Sequence, residues 1–109
     1  MPLVKVNMLA GKSEKYKKAV LDAIHEALME AIDIPDDDRF QRIVEFPKDD
    51  FEYSSEKTSG FMLIEIKMFP GRTKAEKGAV ITTVTKKFLI FFQKNETIYL
   101  LSNLYIIIF

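Results

Sequence analysis

Val4-Lys5-Val6-Asn7-Met8 and Ile64-Glu65-Ile66-Lys67-Met68 decide how this chain folds. A shift that carries position 4 onto position 64 superimposes them, and the agreement continues downstream. Gly11-Lys12-Ser13 meets Gly71-Arg72-Thr73, then Lys17, Ala19 and Val20 meet Lys77, Ala79 and Val80, and Leu28 meets Phe88. An internal repeat of this kind has to be read before any single element, because it fixes the architecture. Each copy opens with a period-two alternation. Val4, Val6 and Met8 fall on one face of a strand and Leu3, Lys5 and Asn7 on the other, and the second strand runs over about Phe61–Met68. After each strand comes a glycine, a basic residue and a hydroxyl residue suited to cap a helix, Ser13 or Thr73. Thr73-Lys74-Ala75-Glu76 also fits the reciprocal capping box.

The helices follow from spacing. Tyr16, Ala19, Val20, Ala23, Ile24, Ala27, Leu28 and Ala31 recur at three and four, as do Ala75, Ala79, Val80, Val84, Phe88, Phe91 and Phe92. The first helix must stop before Pro35, which disfavours helix at Ile34. A strand is expected at about Phe40–Phe46, with a counterpart at about Leu104–Phe109. Each copy is thus β-α-β, repeat one over about 2–46 and repeat two over about 61–109, in one domain spanning 1–109. A crossover of this kind joins parallel strands and is right-handed. The expected fold is α+β, a two-layer sandwich of a four-stranded sheet with both helices on one face. So short a chain leaves the other face bare, which predicts oligomerisation. The segment Pro47–Gly60 is polar and reads as the connecting loop.

Composition narrows the function. Apolar residues make up 48% of the chain, a globular share. Lys plus Arg number 16 and Asp plus Glu also 16, a balance that argues against nucleic acid or an anionic membrane as partner. The absence of cysteine excludes disulfides, thiolate metal sites and cysteine nucleophiles. No basic segment followed by an apolar run opens the chain, so a cytoplasmic location is expected. Ile98–Phe109 is uncharged but falls short of the roughly 20 residues a bilayer-spanning helix needs. Gln93, Lys94, Asn95 and Glu96 interrupt it upstream, and it reads as a strand, not an anchor.

Pro2 is the residue with the most chemical content. Removal of Met1 would expose a secondary amine. An ordinary α-amino group titrates near pH 8, roughly. An apolar pocket or a nearby cation disfavours its charged form, and a base poised near neutrality can abstract a proton next to a carbonyl. The alternative is that Pro2 only begins an edge strand, where its missing N–H costs nothing. Arg39 could pair with Asp36 or Asp37 at the surface. Arg72 stands at a helix start, the unfavourable end for a cation. His25, beside the apolar stripe of the first helix, reads as structural or solvated. Asp36-Asp37-Asp38 lacks the spacing of a calcium loop, and no metal site is expected. Gly11-Lys12-Ser13 lacks the earlier glycine of a phosphate loop and reads as a helix cap.

Taken in order, Pro2 opening a strand, a helix, Asp38-Arg39-Phe40-Gln41, and a strand ending Phe69-Pro70-Gly71-Arg72 resemble the tautomerase superfamily. The pattern is most similar to the malonate semialdehyde decarboxylase branch, whose subunits carry two fused β-α-β units. The resemblance covers about residues 2–92. It implies a homotrimer with sites at subunit interfaces and no metal or organic cofactor. It also implies proton transfer on 2-oxo acids and their enols, with decarboxylation or hydration of related acids as side activities. Carried over by residue, Pro2 is the catalytic base, with Asp38 and Arg39 also catalytic and Arg72 and Phe69 on the substrate. The branch has Arg-Pro-Arg where this chain has Phe69-Pro70-Gly71-Arg72, a departure that favours tautomerisation over decarboxylation. The branch also continues into a longer polar tail with a tryptophan. Here Leu104–Phe109 reads LYIIIF, expected to reflect an altered or truncated end. The competing reading is a catalytically decayed, non-enzymatic trimeric relative. Pro2 acts only if Met1 is removed, so intact mass of the purified protein is expected to show a chain beginning at Pro2. A chain that retains Met1 and still turns over substrate would exclude the Pro2 amine as the base.

Overall fold

The computed structural model describes residues 2–91 and 103–109. Along the chain run β1 (Leu3–Leu9), α1 (Glu14–Ile32), β2 (Phe40–Phe46), β3 (Met62–Lys67), α2 (Lys74–Phe91) and β4 (Leu104–Ile108), with a short 3₁₀ turn at Lys48–Asp50. The four strands form one sheet in the order β2-β1-β3-β4. Within each unit the strands are parallel, β1 with β2 and β3 with β4, and the units meet antiparallel through β1 and β3. This is the expected pair of β-α-β units. The antiparallel junction makes β1 an interior strand, so Pro2 does not begin an edge strand.

The repeat survives as structure. Gly11 and Gly71 both hold the left-handed φ that follows each strand, +112° and +108°, where a side chain would be strained. Ser13 caps α1 by accepting from the Tyr16 amide at 3.1 Å. Thr73 and Glu76 form the full capping box. The Thr73 amide donates to Glu76 Oε1 at 2.9 Å, and the Glu76 amide donates to Thr73 Oγ1 at 3.1 Å. Helix α1 ends at Asp33, whose left-handed φ of 56° turns its N–H back to the Met29 carbonyl.

The core lies between the sheet and the helices. Val4, Val6 and Met8 from β1 and Met62, Ile64 and Ile66 from β3 meet Val20, Ile24 and Leu28 of α1 and Val80, Val84 and Phe88 of α2. Ile106 and Ile108 extend the same layer from β4. One expectation about α2 is corrected. Thr83 is buried, whereas Ala75, in the first turn, and Phe91 are exposed. Three positions after Val80 and next to Val84, Thr83 falls inside the buried stripe. Phe91 is the last residue of α2, past the last buried position, Phe88. Phe92 lies outside the described residues, as do residues 98–102 of the Ile98–Phe109 segment. Its Leu104–Ile108 part is the strand expected.

The loop 47–60 is less detached than its polarity suggests. Phe51 stacks on Phe46 with ring centroids 5.2 Å apart, Tyr53 stacks on Phe61 at 5.6 Å, and Phe61 meets Tyr105 edge-on at 5.3 Å. These rings cover the helix-free face at the end of β1 away from Pro2. Near Pro2 that face stays open, and Leu3, Phe40, Ile107 and Phe109 are exposed on the sheet. Among the described residues no helix is long and apolar enough to cross a membrane.

Truncating the fully buried Phe88 to Ala is expected to cost about 3–5 kcal/mol of stability. Phe91→Ala should stay within about 0.5 kcal/mol. Urea denaturation of the two variants checks the assignment of the α2 stripe.

Candidate active site

The antiparallel register pairs Leu3 with Lys67. It therefore brings the residue before Leu3 against the residues after Lys67. Pro2 is buried there, in a cavity of about 40 Å³ lined by Pro2, Ile32, Met68, Phe69 and Arg72. Two residues singled out in the sequence, Phe69 and Arg72, thus gather around Pro2. Ile32 and Met68 complete the wall. Ile32 closes α1 and Met68 follows β3, so their role depends on how the layers pack and carried no sequence signal.

Arg72 does not stand alone at the start of α2. Its Nη1 donates to Glu76 Oε2 at 2.8 Å. The pair offsets the unfavourable placement of a cation at a helix N-terminus. The Glu76 carboxyl is held below the ordinary range, first by the Thr73 amide and then by Arg72.

Asp38 and Arg39 lie elsewhere. Arg39 immediately precedes Phe40, the β2 partner of Leu3, so it sits at the same end of the sheet as Pro2. Its guanidinium turns away, with Nη2 donating to Asp22 Oδ1 and Nε donating to Gln41 Oε1 at 3.1 Å. Gln41 donates in turn to the Leu21 carbonyl at 2.9 Å. Arg39 and Gln41, two apart on a strand, share a face, and together they clip β2 to α1. The ion-pair partner is Asp22 on α1, not Asp36 or Asp37. Asp38 is half-buried, its amide donating to the Pro35 carbonyl at 3.1 Å, and it does not line the Pro2 cavity.

Arg39 instead lines a wider groove on the open sheet face, about 390 Å³, with Leu3, Lys5, Phe40, Arg42 and Lys67 among its walls. The carboxylate in that groove, Glu65, is held below the ordinary range by the Asn7 amide and then by Lys5. Asn7 Nδ2 donates to it at 2.8 Å and Lys5 Nζ lies 3.4 Å away. The charge of Arg39 is taken up by Asp22 on the other face, and Lys5, Arg42 and Lys67 against one carboxylate leave the groove positive.

Two profiles described as tautomerase enzyme match the chain, one over residues 2–54 and one over residues 38–89. The chain belongs to the tautomerase superfamily. A probable tautomerase of Bacillus subtilis (strain 168), YusQ, is 28% identical over 92 residues, which is 80% of this chain and 72% of that protein. Among solved structures, FG41 malonate semialdehyde decarboxylase inhibited by 3-bromopropiolate superimposes with a TM-score of 0.82 at 23% identity, covering 98% of this chain and 81% of that one. The R7 fused 4-OT wild-type asymmetric trimer gives 0.80 at 20% identity, covering 98% and 84%. At those identities the likeness is one of fold.

In this superfamily member the other candidate residues resolve as structure. His25 is buried at 2% exposure, and its Nε2 meets the Asp36 carbonyl at 2.9 Å, tying α1 to the turn before β2. Among the described residues no three His, Cys, Asp or Glu side chains gather as a metal site. Asp22 and Glu76 are the residues that sequence reading missed. For Glu76 the signal was the Thr73–Glu76 capping box, which places it four positions after Arg72, although the pair itself was not read. Asp22 had no local signal, because it meets Arg39 only through packing.

Lys18 Nζ lies 2.7 Å from Asp22, and Lys18 followed by Arg39 holds the Asp22 carboxyl below its ordinary value. A depressed folded value gives stability that is present at neutral pH and lost as pH falls through that value. Asp22→Asn is expected to lower the thermal midpoint at neutral pH and to leave it near the parent's in acid below that value. Thermal scans across pH check the sign.

Proposed function

We propose that this chain is a tautomerase-type isomerase in which the amine of Pro2, freed by loss of Met1, is the general base for keto-enol proton transfer on a small 2-oxo acid. The observation that carries this reading is the burial of Pro2 in a small cavity with Ile32, Met68, Phe69 and Arg72. Burial and a neighbouring cation both favour the neutral amine. The neutral amine takes the proton from the carbon next to the carbonyl, and the charged amine returns it.

A 2-oxo acid brings a carboxylate that must be held and an oxygen on which negative charge develops. Arg72 takes the carboxylate, because a guanidinium stays charged and can make a two-point contact. Phe69 covers the substrate's apolar side. Arg39 polarises the carbonyl, and Asp38 orients Arg39 or a water. Because Arg39 points away from the Pro2 cavity of its own chain, it acts in this reading across a subunit boundary. The cavity supports that view. It is small, about 40 Å³, so the rest of the substrate needs walls that these five residues do not supply. A homotrimer packed through the open sheet face would supply them. That assembly fits the trimeric fused 4-OT of the same fold, and a small carboxylate substrate fits the propiolate that inhibits the decarboxylase. Within the superfamily, the malonate semialdehyde decarboxylase-like branch agrees with the two fused units. The lone Arg72 after Pro70 favours tautomerisation over decarboxylation.

The test is ketonisation of the enol of phenylpyruvate, whose conjugated ring reports the reaction by absorbance. Pro2→Ala leaves a primary amine, so turnover is expected to fall by about ten- to a hundredfold without vanishing. Arg72→Ala should raise KM by roughly ten- to a hundredfold, and Arg39→Ala should act mainly on kcat. Parent rates in all three variants, or no turnover by the parent on several enol acids, would replace this reading with a non-enzymatic one. Sedimentation is expected to give a trimer, and a stable monomer would count against the interfacial site.

A further inference from the structure

Arg72 is poorly placed to hold its own position. It follows Gly71, whose φ of +108° fixes no side chain. It also faces the positive end of α2, which repels a cation, and a third of its side chain is open to solvent. A long arginine side chain in that setting has rotamer freedom to lose before it can pair with a substrate. Glu76 supplies what is missing. Its Oε1 accepts from the Thr73 amide at 2.9 Å, and its own amide donates to Thr73 Oγ1 at 3.1 Å. The helix cap therefore fixes this carboxylate whether or not Arg72 is present. Oε2 accepts from Arg72 Nη1 at 2.8 Å. One carboxylate thus ties the guanidinium to the first turn of α2.

The geometry points to Glu76 as a positioning residue, holding Arg72 so that its remaining N–H groups face the Pro2 cavity as a preformed seat for a substrate carboxylate. The inference rests on the role proposed for Arg72. Glu76 does not line the cavity itself, so it acts through Arg72 alone. Four of the five guanidinium N–H groups remain after the bond to Glu76, enough for a two-point contact. The Thr73 amide keeps the Glu76 carboxyl low, so the hold is intact at neutral pH. The other repeat serves as an internal comparison. There Lys12 and Tyr16 take the places of Arg72 and Glu76, and the lysine lies over the ring, 5.3 Å from its centre. The shared backbone therefore does not require an ionic hold at this position.

The experiment measures enol-phenylpyruvate ketonisation and thermal midpoints for Glu76→Ala, Thr73→Ala, Arg72→Ala and the double variant of Arg72 and Glu76. Glu76→Ala is expected to raise KM by roughly three- to tenfold with kcat within about twofold. Thr73→Ala weakens the cap but leaves the Arg72–Glu76 bond, so it should lower the thermal midpoint and keep the parent KM. In the Arg72→Ala background, adding Glu76→Ala should leave KM unchanged. An unchanged or lower KM in Glu76→Ala, while Arg72→Ala raises it, overturns this inference alone. So does a Glu76→Ala effect that persists in the Arg72→Ala background, or a Thr73→Ala KM that rises as far as that of Glu76→Ala. A parent KM in Arg72→Ala, or an inactive parent, removes the carboxylate role of Arg72 and this inference with it.

Discussion

The antiparallel pairing of β1 with β3 is the constraint on which the rest of the molecule depends. Its register sets Leu3 against Lys67 and Met8 against Met62. It places the start of the first unit against the end of the second unit's first strand, so Pro2 meets the turn that carries Phe69 and Arg72. A slip by one residue would turn Val4, Val6 and Met8 out of the core and remove that encounter. The helix-facing layer holds the register, because Ile64 and Ile66 are fully buried against both helices. The packing that keeps the sheet in place therefore also builds the candidate site.

Position within the sheet explains the different behaviour of the two arginines. Arg72 leaves β3 at a turn and can reach the cavity. Arg39 enters β2, an outer strand, and its side chain lies on the face toward α1. There Asp22 and Gln41 hold it, with Gln41 also bonded to the Leu21 carbonyl. Part of the Asp38-Arg39-Phe40-Gln41 pattern thus serves the joint between β2 and α1. Phe40, on the opposite face, is exposed beside Leu3. The motif therefore has a structural use within one chain, whatever it does at a subunit boundary.

Most of the fold was legible because the repeat states it twice. The strand alternation, the glycines at 11 and 71, the caps at Ser13 and Thr73 and the stop before Pro35 are local signals, and the structure uses each of them. Three things were not local. Whether the units meet parallel or antiparallel depends on packing between residues far apart in sequence. The exposure of Phe91, at the last position of α2, is set by packing and not by the spacing that puts it in the stripe. The partnership of Asp22 with Arg39 bridges positions that no spacing rule connects. The loop 47–60 shows the same limit, because its composition reads as polar while Phe51 and Tyr53 anchor it through aromatic contacts. The site was half visible. Phe69 and Arg72 were named from the sequence and do line the Pro2 cavity, whereas Ile32 and Met68 come from layers that only the fold brings together.

The repeat also shows why two similar units do not make two similar sites. The shift that carries Val4 onto Ile64 carries Pro2 onto Met62 and Arg72 back onto Lys12. Met62 lies opposite Met8 in the same ladder that sets Leu3 opposite Lys67, so the backbone offers an equivalent corner at the other end of the sheet. Chemically the corners differ. The nitrogen of Met62 is an amide joined to Phe61 and cannot act as a base. The cation there lies over Tyr16 instead of being held by a carboxylate. The rings of Phe51, Tyr53 and Phe61 fold over that end of the sheet, while the Pro2 end stays open. In the function proposed above, the backbone geometry is therefore present at both corners, and the base is assigned to the Pro2 corner alone.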